Sequence, residues 1–123
     1  MTQERISLGK KGEELAIARL RALKYKIVER NYKCPLGEID IIAREKDTLV
    51  FVEVKTRATR DFGGPAAAVN ERKQRQLSKV ALAYLNQKKL QNVPARFDVV
   101  AVELIPPTPQ IEVIRNAFEL SYG

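Results

Sequence analysis

The segment Leu49-Val50-Phe51-Val52-Glu53-Val54-Lys55 restricts the fold more than any other stretch of the chain. Side chains alternate faces along a strand, so Glu53 and Lys55 share the side of Phe51, and Val50, Val52 and Val54 take the other. Both sides are apolar for most of the length. That is the pattern of a central strand covered on two faces, with its polar groups at the carboxyl end. A charged pair at the end of a buried strand costs free energy unless something uses it.

The neighbouring segments build a sheet around this strand. Ser7 reads as the N-cap of a helix running to about Lys24, with Gly9 and Gly12 weakening its first turns. On that helix Glu13, Ala16, Ile17, Leu20 and Leu23 fall along one stripe, and Glu14 points to solvent. Tyr25 to Tyr32 is expected as a strand ended by Asn31, and Pro35 and Gly37 bracket a turn. Glu38 to Ala43 follows as a second strand, with Ile39 and Ile41 on one face and Asp40 and Ile42 on the other. Arg44 to Thr48 forms the hairpin into the central strand.

Thr56 to Asn70 is the longest irregular stretch. Pro65 or Asn70 then opens a second helix ending near Lys88, whose apolar face comes from Val69, Leu77, Val80, Ala81, Tyr84 and Leu85. Arg96 to Leu104 is a strand reached by a crossover and hence parallel to the central one. Ile111 to Phe118 suits a sheet edge. The order helix, three strands, helix, two strands (αβββαββ) predicts a single α/β domain over residues 1–123, a mixed sheet flanked by helices.

The residue inventory excludes many chemistries. With no histidine and one cysteine, Cys34, histidine general bases, serine–histidine–aspartate hydrolysis and the usual zinc sites are absent. No GxxxxGK[ST] or GxGxxG loop occurs. A lone cysteine, a polar start from Met1 to Lys11 and the lack of any long apolar run lead us to expect a cytoplasmic protein without a membrane span. The formal charge of +7 favours an anionic partner, nucleic acid first, against a plain solubility charge.

Antiparallel pairing across the Arg44–Thr48 hairpin places Asp40 beside Glu53 and Lys55. Two carboxylates about 4 Å apart repel by roughly 4 kcal/mol at an effective dielectric near 20. Such a pair persists where a cation lies between its members or one is protonated. Only oxygen ligands are on offer, so Mg²⁺ or Mn²⁺ is the expected ion. Glu13 is either a charge complementing the helix dipole or a member of this site. The loop carrying Arg57, Arg60, Asp61 and Gly63-Gly64 either closes over a phosphate backbone or is a plain connection. The cations of the second helix are either a solvated face or a nucleic-acid surface, on which Lys73 and Gln76 lie nearest the acids.

The order of elements, with Glu13, then Gly37-Glu38-Ile39-Asp40, then Phe51-Val52-Glu53-Val54-Lys55-Thr56-Arg57, resembles the PD-(D/E)xK nuclease superfamily. More closely it is similar to the bacterial uncharacterised protein family UPF0102, from Gly9 to Phe118, including Arg96-Phe97-Asp98 and Asn116-Ala117-Phe118. Ile39 stands where the superfamily usually has proline. The resemblance implies a restriction-endonuclease-like three-layer sandwich, with Asp40, Glu53 and Glu13 as metal ligands and Lys55 as the catalytic lysine. It implies Mg²⁺- or Mn²⁺-dependent cleavage of DNA, selective for branched, flapped or single-stranded structure, with Arg57, Arg60, Lys73 and Gln76 on the nucleic acid. Likeness to archaeal Holliday-junction resolvases adds a possible homodimer. A nucleic-acid-binding module or partner platform that keeps the fold without catalysis is the alternative.

Overall fold

The structure, a computed structural model, describes residues 3–58 and 69–119, with side chains from Leu8 onward. Its elements are α1 (Gln3–Ala22), β1 (Lys26–Cys34), β2 (Gly37–Glu45), β3 (Thr48–Arg57), α2 (Glu71–Gln87), β4 (Ala95–Glu103) and β5 (Gln110–Phe118). The five strands lie in the order β1-β2-β3-β4-β5. β3 is central, antiparallel to β2 and parallel to β4, which it meets through the α2 crossover. Parallel neighbours need such a connection, because a tight hairpin can only return a strand antiparallel.

Each helix covers one face of the sheet, so the domain has three layers. Leu77, Val80, Ala81, Tyr84 and Leu85 of α2 bury against Ile42, Leu49, Phe51, Phe97 and Val99. Ala16, Ile17 and Leu20 of α1 bury against Ile41, Ala43, Val50, Val52, Val100 and Val102. Phe51, 1% exposed, meets the Tyr84 ring edge-on at 5.9 Å. Burial of each such side chain contributes about 1.5–3 kcal/mol. The alternation expected of β3 is what feeds both layers.

Helix ends depart from expectation. α1 begins at Gln3, so Ser7 lies inside the helix and is not its N-cap. The helix stops at Ala22, short of Lys24, and leaves Leu23 39% exposed beyond its apolar stripe. Lys24 takes a left-handed conformation (φ 74), and the Tyr25 amide reaches back to the Leu20 carbonyl at 2.9 Å. This is a helix stop that glycine usually supplies. Asn70 is the N-cap of α2, its side chain accepting from the Lys73 amide at 2.9 Å.

β1 and β2 hold a second correction. Asn31 does not end β1, which runs on to Cys34; Asn31 turns left-handed within it (φ 52). Ile39 and Ile41 do not share a face: Ile39 packs under α2 and Ile41 under α1. Tyr32, the partner of Ile39, likewise lies on the α2 side, and Arg30, the partner of Ile41, reaches Glu14 on α1. Glu14 is therefore ion-paired and not merely solvated. The backbone step at Asn31 and Asp40 interrupts the pleat, and the β2–β3 ladder stops beside it, at Ile41 and Val52.

Asp98 anchors the far side of the sheet. It is fully buried and accepts from Tyr25 Oη at 2.6 Å, Arg96 Nε at 2.9 Å and the Asn116 amide at 2.9 Å. Arg96 also bonds Glu45 at 2.8 Å, so one guanidinium ties β4 to the end of β2. Among the described residues no buried side-chain polar atom lacks a partner.

Candidate active site

The interrupted pleat creates the site. Where β2 leaves β3, the Val54 amide has no ladder partner from β2, and Asp40 Oδ2 accepts from it at 2.8 Å. This bond fixes the carboxylate at the carboxyl end of the central strand. Glu53, one residue earlier and 7% exposed, is in hydrogen-bonding contact with Asp40. The expected meeting of the two acids is therefore present.

Burial raises the Glu53 carboxyl to about 8, with the hydrogen bond to Asp40 and the charge of Asp40 adding to the shift. Burial and Asp40 together favour the protonated form of the Glu53 carboxyl, so that one proton is shared across the contact. Two ammonium groups oppose the shift without cancelling it. Lys55 Nζ lies 3.7 Å and Lys73 Nζ 3.6 Å from Glu53 Oε2, longer than the roughly 2.7–2.9 Å of a charge-assisted hydrogen bond. Lys73 was expected on nucleic acid. In the structure it reaches from the first turn of α2 to the buried carboxyl.

Glu13 approaches from the other layer. Its carboxyl is raised by burial and then by the charge of Asp40, and lowered by a hydrogen bond from Asn31 and by Arg30. A close approach of α1 to β3 puts it there: a Cβ added to Gly12 would lie 1.9 Å from Thr56 Oγ1. Gly12, read from sequence as a weak point in the helix, is the contact that lets α1 settle on β3. A groove of about 450 Å³, lined by Leu8, Gly9, Glu13, Asp40, Val54, Lys55 and Thr56, opens between them.

Asp40 and Glu53 are hard oxygen donors, one of them uncomfortable without a cation, and suit Mg²⁺ or Mn²⁺. Among the described residues no three or more acidic or cysteine side chains gather at ligand spacing. Glu13 therefore stands apart from a closed three-carboxylate set. Two carboxylates with water and substrate oxygens suffice for Mg²⁺, which keeps much of its hydration.

Of the expected nucleic-acid residues, Arg57 ends β3 opposite Glu103, and Gln76 lies against the turn at Gly37. Arg60 falls outside the described residues. Sequence reasoning missed Asn31, the hydrogen-bond partner of Glu13, and Lys73 as the partner of Glu53. A polar residue amid β1 was the available sign of the first; for the second the only sign was the place of Lys73 at the end of α2 nearest the acids, and the contact itself depends on how α2 crosses the sheet. No described helix is long and apolar enough to cross a membrane.

Comparison with known proteins gives the same assignment across most of the chain. Residues 12–102 match the model of the uncharacterised protein family UPF0102. A UPF0102 protein of Geobacter sulfurreducens is 55% identical over 94% of this chain and 91% of its own length. One of Syntrophus aciditrophicus is 53% identical over 100% of this chain and 96% of its own. One of Caldicellulosiruptor saccharolyticus is 45% identical over 90% and 96%.

Proposed function

We propose that this chain, which belongs to the uncharacterised protein family UPF0102, is a metal-dependent endonuclease that hydrolyses phosphodiester bonds of DNA, selecting structure over sequence. The Asp40–Glu53 contact carries this reading, because Asp40 and Lys55 line an open groove and Glu53 backs them from the buried side. A purely structural pair would gain by being apolar, since a buried ionisable pair stabilises little.

Asp40 and Glu53 are the residues that would hold Mg²⁺ or Mn²⁺. Held there, the ion would neutralise charge on the scissile phosphate and lower the pKa of water. Asp40 is held in place for this by the Val54 amide. Lys55, a third exposed, positions the attacking water and stabilises the charge that grows on the phosphoryl oxygens. Glu13, across the groove, accepts a hydrogen bond from that water and orients it in line with the leaving oxygen. As the water oxygen bonds to phosphorus, the bond to the leaving strand breaks, and the water's proton leaves toward Glu13. Arg57 and Arg60 hold flanking phosphates, which positions the strand without reading bases.

The test is a cleavage panel of branched, flapped, single-stranded and duplex DNA and RNA with Mn²⁺, wild type against Lys55→Ala. Metal-dependent DNA nicking lost in Lys55→Ala is the expected result. One observation favours a second reading: Lys55 and Lys73 already bring positive charge to Glu53 from within the protein. Binding of DNA without any cutting in Mg²⁺ or Mn²⁺ would establish that non-catalytic platform instead.

A further inference from the structure

The charge along α2 runs against the helix dipole. Arg72, Lys73, Arg75 and Lys79 crowd its N-terminal half, Glu71 is the acid of the first turn, and the last turn holds no basic residue. The dipole disfavours cations in the first turn of a helix, where Arg72 and Lys73 lie, and like charges along the rest of the stripe repel one another. Lys73 turns away to the buried Glu53 carboxyl, 3.6 Å from its Oε2. Arg75 meets Glu71 at 3.9 Å, a carboxylate 90% exposed. Arg72 and Lys79 are exposed. An external anion along this half of the helix would remove the conflict.

Arg72, Arg75, Gln76 and Lys79 follow the i, i+3, i+4, i+7 spacing of a single helix stripe. Across from them stands the turn between β1 and β2, and the two enclose a groove of about 430 Å³ lined by Pro35, Leu36, Arg72, Arg75, Gln76 and Lys79. Among the described residues no carboxylate lines it. Gln76 Nε2 lies 3.0 Å from where a Cβ on Gly37 would be, which brings the helix and the turn together. Leu36, 51% exposed, forms an apolar lip beside three cations. Gln76 also follows Lys73 by three positions, so the stripe starts beside the residue that touches Glu53.

We infer that this groove receives a single-stranded segment of DNA that continues from the acidic site, with its phosphates on Arg72, Arg75 and Lys79 and a base against Pro35 and Leu36. The inference rests on the nuclease reading and adds the substrate form. A charged track beside apolar surface is how single strands are held; a duplex exposes only its backbone to such a wall and gains nothing from Leu36. The sugar that joins this base to the phosphate track packs beside the same lip: deoxyribose brings a CH₂ there, whereas ribose would bring a hydroxyl against leucine and proline.

The test is fluorescence anisotropy with labelled single-stranded DNA, blunt duplex and single-stranded RNA of equal length, in chelator so that nothing is cut. Wild type is expected to bind single-stranded DNA at least fivefold tighter than either of the others. Arg75→Ala/Lys79→Ala should weaken single-strand binding about tenfold and flatten its salt dependence. Leu36→Ser should weaken it about fivefold and leave duplex binding unchanged. Lys88→Ala/Lys89→Ala, outside the groove, controls for lost charge and should change affinity less than twofold.

Equal affinity for duplex or RNA, or unchanged binding in both groove variants, overturns the inference. So does displacement of the oligonucleotide by poly-aspartate at equal charge, which would assign the groove to an acidic protein. Wild-type cleavage in Mn²⁺, read separately, decides the nuclease reading: selective binding with no cutting would sink that reading while leaving the groove's ligand as stated.

Discussion

Asp40 Oδ2 takes the Val54 amide at 2.8 Å, so one carboxylate both closes the end of the β2–β3 ladder and contacts Glu53. The two tasks separate by substitution. Asparagine keeps an oxygen acceptor for Val54 and removes the charge. We expect Asp40→Asn, in chelator, to melt at or above the wild-type temperature. Asp40→Ala orphans the Val54 amide and should lose about 1–3 kcal/mol. Thermal unfolding of both variants is the check, and equal loss in the two would make Asp40 a purely structural residue.

Glu53 gives the metal-free protein a distinctive pH dependence. Its folded carboxyl is raised from the ordinary 4.5 to about 8 by burial and by Asp40. Below 4.5 both folded and unfolded states are protonated at this group and it costs nothing. Between those values the folded state binds the extra proton, so stability falls as pH rises and the full loss is reached above about 8. The expected loss is of the order of a few kcal/mol. Denaturant unfolding in chelator at several pH values measures it, and Glu53→Gln should abolish most of the slope.

Gly12 predicts a packing effect. Alanine there would place a methyl 1.9 Å from Thr56 Oγ1 and 2.9 Å from Thr56 Cβ. Threonine is too short to move aside, so α1 must shift from β3 and carry Glu13 with it. A loss of about 1–3 kcal/mol is expected, with activity falling further than stability. Thr56→Ala in the same chain should recover part of both, and an additive double mutant would show that the two residues do not meet.

Much of this was legible from residue order. Alternation in β3 and the stripe Ala16, Ile17, Leu20 depend on local periodicity, and both appear as expected. Asp40 and Glu53 were paired by counting across a hairpin, which works because antiparallel register is set by the turn. The facing of Ile39 was misread because the period of two breaks at Asn31 and Asp40, and a left-handed asparagine is not announced by its neighbours. Lys73 lies only a few residues from Gln76, yet one meets Glu53 and the other the turn at Gly37. That division follows from the crossing of α2 over the sheet, a tertiary quantity.

Asp98 is a charged residue in an otherwise apolar run, and the fold explains it. Removing it takes the acceptor from the Tyr25 hydroxyl, the Asn116 amide and Arg96 Nε together, and leaves Glu45 as the one carboxylate on the Arg96 guanidinium among the described residues. Breaking one side of a buried pair in this way costs about 3–5 kcal/mol. Asp98→Ala should therefore be among the most destabilising single changes, by calorimetry. Asp98→Asn keeps the shape and one acceptor oxygen, enough for the Asn116 amide or the Tyr25 hydroxyl but not both, and should cost less than alanine.

Ion binding and the Glu53 proton must compete. To serve as a ligand the carboxyl has to be ionised, and its folded value is about 8, so every divalent ion bound below that pH displaces close to one proton. Apparent affinity for Mn²⁺ should rise about tenfold per pH unit up to that point and then level off. At a free ion concentration of about one hundred times Kd the stabilisation is about 2.7 kcal/mol, and it should shrink on acidification. Titration calorimetry in buffers of different ionisation enthalpy counts the released proton directly. Glu53→Gln should release none, and an affinity that does not change with pH in wild type would remove Glu53 from the ligand set.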